Sequence, residues 1–165
     1  MLRDPRDIVV SWYFSARYSH VPMDPITQMR KDLKRLSIGE GLKYIIDRLD
    51  EWGAFQAQQS WMIANQDRAR IALFRYEDLA RDNKAFLRQI LGYLDIMIPE
   101  DQFHDLYDRQ RFERHSKGRR QGDEDQYSHY RKGASGDWRN HFDRSVMAYF
   151  SHKTGDLLEV LGYPE

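Results

Sequence analysis

Several features that usually narrow a protein's function are missing from this sequence. It has no cysteine, which excludes disulfides and cysteine-ligated metal sites and favours a reducing, cytoplasmic location. No apolar run approaches the roughly 18 residues of a membrane-spanning helix, so no membrane segment is predicted within the chain. Lysine plus arginine equals aspartate plus glutamate at 26 each. That balance argues against a general attraction to nucleic acid.

Two common catalytic signatures are also missing. The loop G-x-x-x-x-G-K-[ST], which holds nucleotide phosphates, does not occur. None of the six histidines has metal-site spacing such as H-E-x-x-H, and these are His20, His104, His115, His129, His141 and His152. No metal is therefore expected. A length of 165 residues suits one domain with a modest core.

Two adjacent cations and two glycines occur near the C-terminus, in residues 131–140 (RKGASGDWRN). Arg131 offers a planar fork and Lys132 a point charge, the two complementary ways to hold a phosphate. Gly133 has no Cβ, so its backbone N–H can approach an anion closely. An exposed basic loop beside a buried Trp138 explains this stretch equally well. We assign Asp137 to a turn and Trp138 to packing.

A second segment suited to an anion lies at the other end of the chain. Asp4 is predicted to be a helix N-cap, Pro5 the first helical residue and Asp7 an acid in the first turn. Arg3 precedes this helix, where its side chain and the helix dipole can face the same negative group. Ser11 lies two turns further on and can present its hydroxyl on the same face.

These segments resemble parts of the sulfotransferases that use 3′-phosphoadenosine 5′-phosphosulfate (PAPS). Residues 3–11 are similar to the family's R-x-P-[KR]-D-x-x-x-S segment, and residues 131–140 match R-K-G-x-x-G-D-W-[KR]-N at every defined position. Between them, residues 76–79 resemble the family's Y-E-D-L. The three motifs occur in the family's order and span nearly the whole chain.

The resemblance implies a site for PAPS or for adenosine 3′,5′-bisphosphate (PAP). Contacts to the 3′-phosphate are implied for Arg3, Ser11, Arg131, Lys132 and the backbone N–H of Gly133. Tyr76 and Phe112 are implied at the adenine, although a core tyrosine at a strand end fits the Tyr76 pattern about as well. Gln110 stands where a threonine is common in animal cytosolic members.

The sequence departs from the family at its start. The family's phosphate-binding loop, typically P-K-S-G-T-T-W, is missing, as is the following strand with its catalytic histidine. We therefore expect residues 1–165 to be a single partial domain, the C-terminal portion of a sulfotransferase. A truncated gene model, a split protein and an engineered fragment all fit. The catalytic base would lie in the missing half, so the chain alone should be inactive, and its hydroxyl or amine acceptor is unidentified.

Two other functions fit parts of the sequence. A nucleic-acid-binding module could use Arg131, Lys132 and the basic run in residues 109–120. That run is otherwise a solvated loop or a cover for an anionic ligand. Alternatively, the chain could be a non-catalytic interaction partner. His20 could line an acceptor pocket, although a surface position is the simpler interpretation.

Helices are predicted from local signals over much of the chain. Dense apolar residues from Asp4 to about Ser19 indicate a buried helix. Ser37 and Glu40 form a capping box before a helical pattern of Ile38, Leu42, Ile45, Ile46 and Leu49. Further helices are predicted near residues 54–65, 86–94 and 100–110 and from about residue 143 to 161. Residues 111–130 are predicted to form a mobile loop.

The best strand candidate is residues 70–75 (RIALFR), an apolar run without helical period. Glu77 and Asp78 after it are predicted to cap the next helix. A lone strand cannot form a sheet, so its partner strands should lie elsewhere. The resemblance implies an α/β fold, the C-terminal part of a P-loop-type three-layer α/β/α sandwich with a parallel sheet, of which this chain is a mostly helical portion.

Overall fold

The structure, a computed structural model, describes residues 1–64 and 71–164. The described part is mostly helical, as predicted, with α1 Pro5–Phe14, α2 Ile26–Leu33, α3 Ile38–Glu51, α4 Ala54–Ala64, α5 Tyr76–Arg81, α6 Asn83–Tyr93, α7 Glu100–Gln110, α8 Phe112–His115, α9 Arg144–Thr154 and α10 Leu157–Leu161. A π-helical turn, Ser15–Ser19, continues α1, and a 3₁₀ turn, Asp137–Asn140, precedes α9. None of these helices is both long and apolar enough to cross a membrane.

The core forms where α3 packs between α1 and α9. The predicted apolar face of α3 is confirmed, because Leu42, Ile45, Ile46 and Leu49 are all buried. Val9 and Val10 of α1 and Phe150 of α9 are buried in the same cluster. Burying these side chains supplies the main driving force for folding. It also fixes α1, whose N-terminal end borders the functional site.

Helix starts follow the local capping signals. The Asp4 carboxylate accepts a hydrogen bond of 2.9 Å from the Arg6 backbone N–H, and Pro5 opens α1. The capping box of Ser37 and Glu40 is present at the start of α3. Both predictions are confirmed, because a cap depends on residues within one turn of each other. The bounds of α7 also agree with the prediction.

The predicted strand does not form. Arg70 lies outside the described residues, and residues 71–74 have no regular secondary structure. The remaining pairing is an isolated parallel bridge between Leu2 and Arg75. In it, Leu2 N–H donates to the Phe74 carbonyl and Tyr76 N–H donates to the Leu2 carbonyl, each at 2.8 Å. A strand needs a partner along its length, and within the described residues Leu2 alone provides one.

The last predicted helix is two helices. Gly155 ends α9 with φ of +58°, a backbone conformation that side-chain-bearing residues rarely adopt, and α10 begins at Leu157. The apolar spacing continued across this break, so periodicity alone could not reveal it. The short helices α2, α5 and α8 were not predicted, and α8 lies within residues 111–130, which were expected to form a loop. Asn65, expected to end the helix over residues 54–65, lies outside the described residues.

Candidate functional site

A cavity of about 440 Å³ brings the two ends of the chain together. Its size falls within the range of roughly 300–1,000 Å³ typical of small-molecule sites. The wall contains residues from α1, α5, α8 and the segment 129–134. All seven residues singled out from the sequence line it, namely Arg3, Ser11, Tyr76, Phe112, Arg131, Lys132 and Gly133.

Arg3 and Tyr76 form one wall of the cavity. Arg3 follows Leu2 and Tyr76 follows Arg75, the two residues of the parallel bridge. The bridge therefore brings Arg3 and Tyr76 close together. The Arg3 guanidinium carbon lies 4.2 Å from the centroid of the Tyr76 ring, within cation–π distance. Arg3 Nε is buried without a hydrogen-bond partner among the described residues. A buried donor of this kind favours an acceptor such as a phosphate oxygen.

Arg131 and Lys132 also line the cavity, and Asp137 holds both. The Asp137 carboxylate accepts from Arg131 Nη2 and from Lys132 Nζ, each at 2.5 Å. It also accepts from Asn140 Nδ2 at 2.8 Å and contacts His141 Nε2 at 3.3 Å. Burial alone would raise the pKa of this carboxyl, but the four hydrogen bonds outweigh burial and hold the pKa well below its usual range. Asp137 therefore does more than form a turn.

Asp7 ties the two ends of the chain to each other. Its carboxylate accepts from the backbone N–H of Gly136 at 2.6 Å and from that of Trp138 at 2.9 Å. Burial raises the pKa of Asp7, and the two backbone hydrogen bonds oppose that rise. Asp7 was predicted only as a first-turn acid, because its long-range partners leave no local signal.

Trp138 is the packing anchor that the sequence indicated. Its ring is buried, and two guanidinium carbons lie within cation–π distance of the ring centroid, that of Arg6 at 3.7 Å and that of Arg139 at 4.5 Å. Arg6 is fully buried, pairs with the Asp4 carboxylate at 2.8 Å and donates to the Pro164 carbonyl at 2.7 Å. Arg6 thus belongs to the scaffold beneath the site.

Gly133 allows an aromatic ring to approach the backbone. Its φ is +66°, and a Cβ built there would overlap the ring of Phe112. From the sequence, this glycine was expected for a different reason, the close approach of its N–H to an anion. The structure adds a steric requirement, because only glycine satisfies both the backbone conformation and the ring contact.

Glu77 and Asp78 lie in the first turn of α5, but neither side chain caps it. Glu77 instead accepts from the Asp4 backbone N–H at 2.8 Å and from the Tyr163 hydroxyl at 3.0 Å. Asp78 pairs with Arg81 at 2.6 Å. Burial, and then the nearby Glu77, raises the pKa of Tyr163. The capping prediction was therefore wrong, because the first residues of α5 lie against α1 and the C-terminal segment.

The sequence missed several residues that line the cavity, among them Gln121, His115, His129 and Tyr130. The His115 and Tyr130 rings stack with their centroids 5.0 Å apart. All four fall in or next to the unpatterned segment 111–130, where no local signal marked them. His20 lies apart from this cavity lining and stacks its ring on Trp12 at 5.9 Å.

The chain is similar to known proteins along most of its length. The sulfotransferase domain family matches residues 1–161. Sulfotransferase 1C2 of Homo sapiens is 28% identical over 150 residues, which cover 85% of this chain and 47% of that protein. Sulfotransferase 2A6 of Mus musculus is 26% identical over 174 residues, which cover 99% of this chain and 56% of that protein. The chain thus spans about half the length of the curated relatives it matches.

Proposed function

The chain belongs to the sulfotransferase domain family, and from this premise we propose that it forms the 3′-phosphate and adenine side of a PAPS-binding site. The complete enzyme would transfer a sulfuryl group from PAPS to a hydroxyl or amine acceptor. This chain would contribute cofactor binding and orientation.

The presence of Arg3, Arg131 and Lys132 at one cavity is the main observation that supports this proposal. Arg3 is 128 positions before Arg131 in the sequence, yet both line the same hollow together with Lys132. Several positive groups at one cavity suit a doubly charged phosphate better than a single carboxylate. The buried, unpartnered Arg3 Nε supports the same assignment.

Each residue has a role that follows from its chemistry. Arg3, Ser11, Arg131, Lys132 and the Gly133 N–H would hold the 3′-phosphate through charge-assisted or neutral hydrogen bonds. Charge-assisted bonds contribute about 1.5–3 kcal/mol each. The rings of Tyr76 and Phe112 would contact the adenine. The five residues at the 3′-phosphate would thus recognise the group that distinguishes PAPS from ATP.

PAPS, when bound, supplies the sulfuryl group together with a nucleotide leaving group. The residues of this chain hold that nucleotide and orient it, a contribution based on positioning and electrostatics. We assign no catalytic base within the chain. We therefore expect the 165-residue chain alone to transfer no measurable sulfuryl group.

Thermal unfolding with and without nucleotide tests the proposal. PAP should raise the Tm of the chain, and ADP, which has the same number of phosphates but none at the 3′ position, should raise it far less. Arg131→Ala should remove the shift, whereas Arg120→Ala, at an exposed arginine of the basic run, should keep it. Equal stabilisation by PAP and ADP contradicts the proposal. Salt-sensitive binding of single-stranded nucleic acid without a response to PAP indicates the nucleic-acid-binding alternative.

A further inference from the structure

Arg119 lies in the basic run, yet its guanidinium is turned onto the backbone of its own chain. Nη1 donates to the carbonyl of Asp123 at 2.8 Å and to that of Arg131 at 2.9 Å. Nη2 donates to the carbonyl of Tyr130 at 2.5 Å. One side chain therefore bonds three carbonyls, two of them belonging to the segment that carries the cations of the cavity.

These bonds join two backbone segments that also pair directly. Gly122 N–H donates to the Lys132 carbonyl at 2.8 Å, and Asp125 N–H donates to the Arg131 carbonyl at 3.0 Å. The carbonyl of Arg131 is thus held from two sides, by Arg119 and by Asp125. Arg119 fixes the backbone from which the Arg131 side chain reaches the cavity.

The same guanidinium also faces the aromatic wall. Its central carbon lies 5.6 Å from the centroid of the Phe112 ring, within cation–π distance. The buried Ser116 hydroxyl donates to the Arg119 carbonyl at 2.9 Å, which ties Arg119 to the end of α8. The Phe112 ring also lies against Gly133. Arg119 therefore contacts both the Phe112 ring and the backbone of the segment 129–134, which pack together at the cavity.

We propose that Arg119 is a positioning residue of the nucleotide site, which holds Arg131 and Phe112 in place without touching the ligand. This inference rests on the proposed function. Arg119 is not among the cavity-lining residues, and its Nη1 and Nη2 groups already donate to carbonyls. A lysine has no planar fork and cannot bond the carbonyls in the same arrangement. Charge alone should therefore not replace this arginine.

Binding of PAP and ADP to the 165-residue chain tests the inference by titration calorimetry. Arg119→Met and Arg119→Lys should both weaken PAP binding by about tenfold, the effect of misplacing one charge-assisted contact. Binding of ADP should weaken less, since it is affected only through the Phe112 ring at the adenine, so discrimination for the 3′-phosphate falls. Arg120→Met is the matched control and should leave the PAP affinity unchanged. Full PAP affinity in Arg119→Lys overturns the positioning role, because it shows that the charge suffices.

A double-mutant cycle shows whether Arg119 acts through Arg131. If it does, Arg119→Met combined with Arg131→Met should lose less PAP affinity than the two single losses summed, because only the effect through Phe112 adds to that of Arg131→Met. Additive losses overturn the inference, since they indicate two independent contributions to binding.

Amide hydrogen exchange provides a readout that needs no ligand. Arg119→Met should speed exchange of the Gly122 and Asp125 amides by about tenfold, with α3 unaffected. Unchanged exchange at both amides overturns the inference. Equal binding of PAP and ADP by the wild-type chain overturns the proposed function, and the inference with it. A PAP-selective wild type with unaltered Arg119 variants overturns the inference alone.

Discussion

The carboxylate of Asp7 accepts a hydrogen bond of 2.9 Å from the backbone N–H of Trp138, 131 positions away in the sequence. The other oxygen of the same carboxylate accepts from Gly136 N–H at 2.6 Å. This one side chain joins the first turn of α1 to the glycine-containing turn that follows Arg131 and Lys132. The position of Arg3 relative to Arg131 and Lys132 therefore depends on a buried acid that need not touch the ligand.

Replacing Asp7 should destabilise the fold. In Asp7→Asn, the amide oxygen can accept one backbone N–H, while the amide nitrogen faces the other donor. Leaving a buried donor unpaired costs about 1–3 kcal/mol in free energy of unfolding. Urea titration measures this loss. Asp101→Asn, at an exposed acid in the first turn of α7, is the control and should change stability by less than about 0.5 kcal/mol. An equally small change in Asp7→Asn would show that the hydrogen bonds from Gly136 and Trp138 to Asp7 contribute little to stability.

Asp137 should make stability depend on pH in the acid range. Its pKa in the folded protein lies below the usual value of about 3.9, so the ionised carboxylate stabilises the fold above that pH. As the pH falls below about 4, the unfolded chain takes up the proton first and this contribution is progressively lost. Asp137→Asn lacks the contribution at every pH.

The Tm gap between wild type and Asp137→Asn should therefore be largest at pH 6–8 and should narrow below about pH 4. At neutral pH the free energy of unfolding should fall by about 3 kcal/mol, because Lys132 and Arg131 lose their shared buried carboxylate and Arg131 keeps only its ion pair with Glu124. Scanning calorimetry across the pH range measures both proteins. A constant gap from neutral to strongly acid pH speaks against the role assigned to the ion pairs.

Gly133→Ala should destabilise the chain for two separate reasons. A side-chain-bearing residue at φ of +66° costs about 1–2 kcal/mol, and the new methyl group overlaps the Phe112 ring. Adding Phe112→Ala removes the overlap, so the double variant should be more stable than the summed single losses predict.

Gly92→Ala is the matched control for Gly133→Ala. Gly92 lies in α6 with open space around it, and alanine there should stabilise the protein by about 0.5–1 kcal/mol. Denaturant titration of five proteins gives the comparison: the wild type, the three single variants and the double variant. Equal effects at the two glycines would refute the steric argument.

The parts of the fold that were predictable depend on neighbours in sequence. The cap of Asp4, the capping box of Ser37 and Glu40 and the face of α3 all arise within one or two turns, so local pattern determines them. The predicted strand did not form over its described residues, 71–75, because a strand depends on partners elsewhere in the fold. The single last helix was wrong because Gly155 breaks the backbone while the apolar spacing continues.

In the candidate site as well, residues in local motifs could be predicted and residues with distant partners could not. Three short motifs named six of the residues that line the cavity, since each motif is local even though the cavity is not: Arg3, Ser11, Tyr76, Arg131, Lys132 and Gly133. Phe112 was named from the family resemblance alone. The roles of Asp7 and Asp137 were missed, because sequence does not show which distant N–H or cation a carboxylate will meet. Arg119 was missed for a related reason. A run of arginines in an unpatterned segment is typical of a solvated loop, and nothing local shows that one of them turns inward.

Arg3 and Arg131 are proposed to hold the same 3′-phosphate, and calorimetry of four proteins tests whether they do. The proteins are the wild-type chain, Arg3→Met, Arg131→Met and the double variant, each titrated with PAP and with adenosine 5′-monophosphate, which lacks the 3′-phosphate. Each single variant should lose about tenfold to a hundredfold in PAP affinity and little for the monophosphate. The double variant should no longer distinguish the two ligands. Equal losses for both nucleotides, or PAP selectivity that survives in the double variant, would contradict the account.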